Sequence, residues 1–438
     1  MRIRMAWLVV VPVAGAVGFA VLSLSRGQDG AVSPSPASAD PGAHQPGVAA
    51  RVAQPAAAGK QETPVNLGKL SLLQRQMYQS ARRGADWLRR ANRADGRFNY
   101  GHVPDLGVGL EGDHYLRQTG AAFALARAAR FFGDEGQAAV ARQALLALLL
   151  DTMPDPKNAR VRYTSLPPVA VNRLAAAGLL VLAVNELPSP GADLLEQSEQ
   201  LCAFIRGQQR ADGSLDYGDG SMGTRADPAD PDGINYYPGE ALYALMRSQR
   251  HRPAAWKTDV VRKARAYYQP WWRAHKNMAL VPWQTAAYTE AYLATKEAPF
   301  ADCVNEMTDW ICEQQYTQLD PRHPLWVGGF MGWADGKQAV APPQVGSAAY
   351  AEGLAEACRV ARQAGDLQRY QRYRDALERC LQFVTTLQYT EASTRHFADW
   401  YRPVLLGAFY ASHQDGTLRI DYTQHAVCAL VQYLSDMP

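Results

Sequence analysis

From Leu70 onward, apolar positions return every three or four residues, with polar residues between them. This is the period of a helix that buries one face. The pattern predicts about twelve helices: Leu70–Arg90, Ala121–Phe132, Gln137–Leu150, Val169–Leu187, Asp193–Gln209, Pro238–Arg250, Ala254–Ala274, Pro282–Lys296, Phe300–Gln315, Ser347–Ala364, Leu367–Gln388 and Asp421–Leu434. Asp193 is placed to cap its helix, and Pro238 and Pro282 fall in a first turn, where proline is tolerated. Val169–Leu187 is almost continuously apolar, as a helix buried on most sides would be.

The helices alternate in character. One set is rich in Ala and Gly and opens on polar groups: Gln118-Thr119-Gly120, Asn172-Arg173, Tyr236 to Glu240, Trp283 to Glu290, Gly346 to Glu352, and Asp421 to His425. The other set is amphipathic with charged faces, as in Lys257–Arg265 and Arg369–Arg379. Short turns (Gly133 to Gly136, Gly365-Asp366) join each member of the first set to one of the second, and long connections lead back. No strand-rich run interrupts the series. The expected fold is all-α, an (α/α)6 toroid of six inner and six outer helices over residues 67–438, closed by Leu70–Arg90 against the final helix. In such a ring the inner helices point one way. Their N-termini therefore gather at one end with the long loops Asp95–Arg117, Met153–Pro167, Ala211–Asn235, Thr317–Val345 and Thr390–Ile420. Loops this long in a compact domain usually carry function.

The N-terminus changes the picture of location. Arg2 and Arg4 precede an apolar run from Ala6 to Leu24, long enough to span a bilayer with its basic end cytoplasmic. Residues 1–26 are expected to be a signal-anchor, with a cleavable signal peptide as the alternative because Ala37-Ser38-Ala39 has a small-x-small pattern. Either way the remainder is exported to the periplasm or cell surface. Residues 27–66 are rich in Ala, Pro, Gly and Ser and read as a disordered tether. Of 438 residues, 47% are hydrophobic and 20% charged, with a net charge of +3. That composition suits a globular protein with a sizeable core and argues against nucleic acid as a partner. Six cysteines form no CxxC pair and fall inside helical patterns, as small buried apolar residues do.

Four outer helices end on a related phrase: GADWLRRANRADGRFNY from Gly84, LCAFIRGQQRADGSLDY from Leu201, MTDWICEQQY from Met307 with VGGF at Val327, and CLQFVTTLQY from Cys380. Each runs from an aromatic through Gln-Gln or a near equivalent toward Asp-Gly and an aromatic or Leu. The phrase resembles the QW-type repeat of squalene and terpenoid cyclase and protein prenyltransferase toroids, which implies the toroid. The chemistry of those families does not carry over, since the DxDD acid motif is missing. Asp421, His425 and Cys428 are superficially like the prenyltransferase zinc ligands, but Cys428 faces roughly 300° round the helix from His425. Asp212, Asp216, Asp219 and Asp227–Asp232 fit no EF-hand spacing, so neither a metal nor any other cofactor is assigned. The thioester motif of complement-type toroids is absent too. The polar inner-helix openings are more similar to the glycan-active (α/α)6 barrels: hydrolases, lyases and uronyl epimerases.

The candidate catalytic residues are His425, Asp421, Glu240, Glu290 and Glu352. Asp421 lies one turn from His425 and is placed to orient the ring and raise its pKa, making a general base near neutral pH. Glu240, Glu290 and Glu352 lie within the first two to three turns of inner helices, where two of them facing each other would suit glycoside hydrolysis. Tyr236, Tyr237, Trp283, Tyr288, Trp400 and Tyr401 are candidate sugar-stacking platforms. Arg173, Arg395 and Arg419 would suit a carboxylate-bearing substrate such as a uronic acid. The expected function is acid–base chemistry on an extracytoplasmic glycan or other small-molecule or polymer substrate. The alternatives are a non-catalytic toroid that binds a glycan or an envelope protein, and a relative of the lipid cyclases.

Overall fold

The computed structural model describes residues 67–218, 231–334 and 336–436. The segments expected to form an anchor and a tether, and the acidic stretch around Asp219 and Asp227, lie outside the described residues. Among the described residues no helix is long and apolar enough to cross a membrane.

In chain order, α1 (Leu72–Ala91) is followed by a small antiparallel pair, β1 (Gly101–Val103) and β2 (Val108–Gly109), then α2 (Tyr115–Phe132) and α3 (Glu135–Leu149). A hairpin of β3 (Thr152–Asp155) and β4 (Asn158–Thr164) leads to α4 (Arg173–Glu186), α5 (Ala192–Gly207), α6 (Tyr237–Ser248), α7 (Ala255–Ala274), α8 (Val281–Thr295) and α9 (Ala298–Cys312). After the hairpin β5 (Gly332–Ala334) and β6 (Lys337–Ala339) come α10 (Ser347–Ala364) and α11 (Leu367–Thr386). Two single turns, α12 (Glu391–Thr394) and α13 (Arg402–Leu405), precede β7 (Tyr410–Ser412), β8 (Asp415–Arg419) and α14 (Ile420–Ser435).

Helices α2, α4, α6, α8, α10 and α14 each pack on the next, and α14 returns to α2. The inner ring is therefore closed. Each inner helix also backs onto one outer helix, α14 onto α1. This is the (α/α)6 toroid that the alternation of helix character predicts. The inner helices are nearly all buried, α4 from Leu174 to Glu186 without a gap, and their Ala and Gly content lets the backbones approach. A Cβ at Gly239 of α6 would fall 2.6 Å from the Trp283 Cβ of α8, and one at Gly178 of α4 would fall 3.0 Å from the Ala241 amide of α6.

The repeated phrase has a structural meaning. At each of its four copies a residue shortly past the outer helix pairs with the chain further on: Asn92 with Phe98, Gln209 with Leu215, Gln315 with Phe330, and Gln388 with Phe409. Three of the side-chain amides then cross to the next outer helix. Gln209 Nε2 donates to the Val260 carbonyl of α7 at 2.8 Å. Gln315 Nε2 donates to the Ala376 carbonyl of α11 at 2.9 Å, and Gln388 Nε2 to the Ser80 carbonyl of α1 at 2.9 Å. The same amides hold the glycine carbonyls of their own loops, as Gln388 does Gly407 at 3.0 Å. The repeat stitches the outer ring, and its last copy joins the last outer helix to the first.

Three expectations need correction. The Met153–Pro167 connection, expected as a loop, contains the β3–β4 hairpin, which is tied to α5 by Arg162 donating to Gln200 at 2.9 Å. The first and last long connections also form strands, giving a four-stranded sheet in the order β2-β1-β8-β7. These strands are too short to show an alternating pattern in the sequence. Asp193 sits in the first turn of α5, and Gly191 occupies the cap position without a side-chain bond.

The stitch predicts a graded response to alanine. At Gly407 φ is +94° and a Cβ would lie 2.2 Å from the Arg83 carbonyl oxygen, whereas at Gly365 φ is +73° with nothing within 4 Å. Left-handed backbone alone costs a non-glycine residue about 1–2 kcal/mol. Gly365→Ala should stay near that figure in urea unfolding, and Gly407→Ala should exceed it by a further ~2 kcal/mol, since backbone must move.

Candidate functional site

Inner-helix N-termini open at one end of the ring, and below them a small cavity lies on the axis. It is lined by Tyr243, Pro282, Trp283, Ala286, Ala349, Glu352, His425 and Gln432, and leaves about 10 Å³ for a water centre, room for one water. His425 enters from the second turn of α14 and Glu352 from the second turn of α10. The His425 Nδ1 lies 2.7 Å from Glu352 Oε1. About a quarter of the His425 side chain stays accessible, against 11% for Glu352. With Nδ1 engaged by the carboxylate, Nε2 is the ring nitrogen left for the cavity. Burial works against a charged imidazole here. Glu352, through its hydrogen bond and charge, and then Asp421 and Glu240 outweigh it, so the His425 pKa is raised above 6.5. A carboxylate on one nitrogen and a raised pKa make an acid–base pair that can change protonation near neutrality.

Trp283 of α8 sits between the two walls, 6.3 Å from the His425 ring and 6.2 Å from the Tyr243 ring, centroid to centroid. Glu240, two turns above the floor on α6, is 7% exposed and contributes to the field on His425.

Under the cavity lies a buried ionic belt. Glu186 of α4 is fully buried and takes Arg127 and Arg130 from α2 and Arg247 from α6, the last at 2.5 Å. Arg247 also holds Glu290 of α8 at 2.9 Å, and Arg359 of α10 holds the same carboxylate at 2.8 Å. Arg359 reaches Glu356 at 2.5 Å, and Gln432 of α14 donates to Glu356 at 2.8 Å. Burial disfavours charge on both Glu186 and Glu290. The surrounding guanidiniums win, and both carboxyls sit well below the usual range. Glu356 goes the other way, raised by burial and by Glu290 despite Arg359.

The structure redistributes the sequence-derived candidates. His425, Glu352 and Trp283 meet at the cavity. Asp421 is one helical turn from His425, but it does not orient the ring. Its oxygens accept Arg419 Nε and Nη2 at 2.6 and 2.8 Å, with Arg117 Nε at 3.3 Å, and Glu352 takes the orienting place. Arg419 is thereby committed to Asp421 and to the Tyr422 ring. Glu290 belongs to the belt, because the third turn of α8 lies at the closed end of the ring. Tyr288 points outward, fully buried against Phe300 of α9. Arg173 lies over the Tyr163 ring of the β4 strand. Tyr237 packs on Tyr217, and Tyr236 is 41% exposed at the head of α6. Arg395, Trp400 and Tyr401 stand on the connection tied to α1 by the Trp87 bond to the Val404 carbonyl at 2.8 Å, away from the axis. Trp400 is exposed there and Tyr401 buried. Of the acidic residues considered for calcium, Asp212 caps Ser214 and Asp216 bonds Arg210.

Sequence reasoning missed Tyr243, Gln432 and the belt. The one signal available was a glutamate, Glu186, ending an otherwise apolar helix.

No family model and no curated protein matches the chain. Solved structures do. An unsaturated glucuronyl hydrolase specific for heparin matches at TM-score 0.57 and 14% identity, over 82% of this chain and 97% of that one. A D-mannose isomerase matches at TM-score 0.58 and 12% identity, over 83% and 99%. An α-1,6-mannanase from Salegentibacter sp. matches at TM-score 0.55 and 10% identity, over 82% and 98%. At these identities the likeness is one of fold, and it extends over nearly the whole length of each neighbour.

The His425–Glu352 bond gives a direct check. Because its folded pKa lies above 6.5, the pair contributes its full stability below about that pH and loses it as pH rises through the folded value. In an NMR titration the His425 ring should titrate above 6.5, and in Glu352→Gln it should titrate lower. An unchanged midpoint would mean that Glu352 does not set its charge.

Proposed function

We propose that this chain is an extracytoplasmic carbohydrate-active enzyme whose His425–Glu352 pair moves a proton on a sugar substrate. The observation that carries the reading is the 2.7 Å bond from Glu352 to one ring nitrogen of a histidine whose other nitrogen is left for an axial cavity. The setting supports it: solved neighbours of the same fold include a glucuronyl hydrolase, a mannanase and a mannose isomerase.

The donor set favours proton transfer at a sugar carbon, as in an isomerase, epimerase or lyase, over hydrolysis. Glycoside hydrolysis by the common route needs two carboxyls flanking the bond. Among the described residues lining the cavity, Glu352 is the sole carboxylate, and His425 holds it. A mannanase of this fold is inactive when two consecutive aspartates are replaced by alanine, and this sequence contains no two consecutive aspartates.

The second reading is a non-catalytic toroid that binds a glycan or an envelope protein. The specific observation in its favour is the size of the cavity, since a sugar enters only if Trp283 or the segments above it move.

Two experiments separate these readings. For His425→Asn, turnover of an oligosaccharide and monosaccharide panel should fall at least ~10²-fold, the usual worth of a general base, while the panel sugar still binds by calorimetry. Binding without turnover in the wild type would favour the second reading. For location, the basic and apolar N-terminus supports export, so alkaline phosphatase fused after residue 66 should be active in cells. Deletion of residues 1–26 should abolish that activity; an inactive full-length fusion would refute export.

A further inference from the structure

Tyr243 lines the same cavity as His425 but comes from the opposite side of the ring. Three steps separate α6 from α14 in either direction around the six inner helices. Its hydroxyl oxygen accepts a hydrogen bond from Arg127 Nη2 at 2.7 Å, and the guanidinium of Arg247 stands 6.0 Å from its ring. Arg127 is itself 4% exposed and pinned by Glu186 at 3.4 Å. The phenol is thus held rigidly by a buried cation that occupies an oxygen lone pair, leaving its own O–H to point elsewhere. Tyr243 is 2% exposed, so no bulk water competes for that proton. Trp283 packs against both Tyr243 and His425, which places the two groups around one small space.

We infer that Tyr243 is a second catalytic residue of this cavity, the proton donor that answers the His425 base from the opposite wall. The inference rests on the proton-transfer reading above and deepens it toward substrates with a carbonyl next to a carbon-bound hydrogen, such as open-chain aldoses or uronic acids. The step balances without an oxidant or reductant. His425 Nε2 takes the proton from the carbon beside the carbonyl, and that C–H electron pair forms the carbon–carbon double bond. The carbonyl π pair moves to oxygen, which takes the Tyr243 proton to give an enediol. The tyrosinate left behind is stabilised by Arg127 and Arg247, as charge developing in a dry site requires. Return of the His425 proton to the neighbouring carbon, with Tyr243 recovering a proton from the other enediol hydroxyl, completes an isomerisation. Burial pushes the Tyr243 phenol up to about 12 while both arginines pull against it, so the group enters the cycle protonated.

The test uses the full chain with D-mannose and, separately, D-glucuronate in D2O, following loss of the C2–H signal by NMR. Wild type should exchange. Tyr243→Phe, which removes one oxygen and keeps the ring, should exchange about 10²-fold more slowly with KM within about threefold. 3-Fluorotyrosine at position 243 leaves the fold untouched if the phenylalanine variant unfolds. Its more acidic phenol should move the alkaline limb of the rate profile to lower pH, which a packing role would not do. Exchange by Tyr243→Phe within threefold of wild type, or an unmoved alkaline limb, overturns this inference and leaves the proton-transfer reading standing. No exchange by wild type on either sugar overturns both.

Discussion

The structure depends on how its axis is filled. Six helices that meet around a line leave a core that apolar side chains alone do not occupy here. At the closed end the space is taken by Arg127, Arg130, Arg247 and Arg359 interleaved with Glu186, Glu290 and Glu356. Glu186 and Glu290 are each shared by guanidiniums from the helices on either side, Glu356 takes Arg359 of its own helix, and Gln432 carries the series on to α14. Removing charges from water is expensive, and the attraction between them repays the cost only when the geometry is well satisfied. Such a belt adds little net stability but makes register matter. A helix that slipped by one turn would strand a buried charge, which typically costs 3–5 kcal/mol.

Everything above the belt inherits its precision. Tyr243 is fixed because Arg127 is fixed, and Gln432 is fixed because Glu356 is. His425 then faces a cavity whose floor is tied by ion pairs between neighbouring inner helices, while its own partner Glu352 rises from a different helix, α10. The narrowness of that cavity has the same origin as the tightness of the ring. Glycine and alanine on the inner faces let α6 approach α4 and α8, and Trp283 fills much of what remains.

The fold was legible from the sequence because its signals are local and repeated. Helical periodicity, the alternation of Ala-rich and amphipathic helices, and four copies of one phrase each point to the same ring. The strands escaped because two to seven residues carry too short an alternation to register beside long helices. The site was legible by parts and not by pairings. His425 and Glu352 both stood out as polar groups near the heads of inner helices, but spacing along one helix favoured Asp421 as the partner. A bond between helices 73 residues apart leaves no trace in spacing, and Arg419, two residues before Asp421, was the nearer claim on it. Glu290 looked equivalent to Glu352. Depth along the axis decides between them, and the difference is one helical turn: the second turn reaches the cavity, the third reaches the belt. Tyr243 was invisible because a tyrosine in an apolar run reads as core.

The Gln388 amide that reaches Ser80, and the packing of α14 on α1, have a bearing on synthesis. The first helix of the ring emerges from the ribosome more than 300 residues before Gln388 and α14, which close the ring on it. The intermediate helices can pair as they appear, each with its neighbour, while the face of α1 that packs on α14 stays open until α14 appears. Closure is then a long-range event, of the kind that slows folding, and the sixteen residues of α14 deliver at one stroke the seam, His425 and the end of the belt. The competence to act therefore arrives with the closing of the ring and not before it.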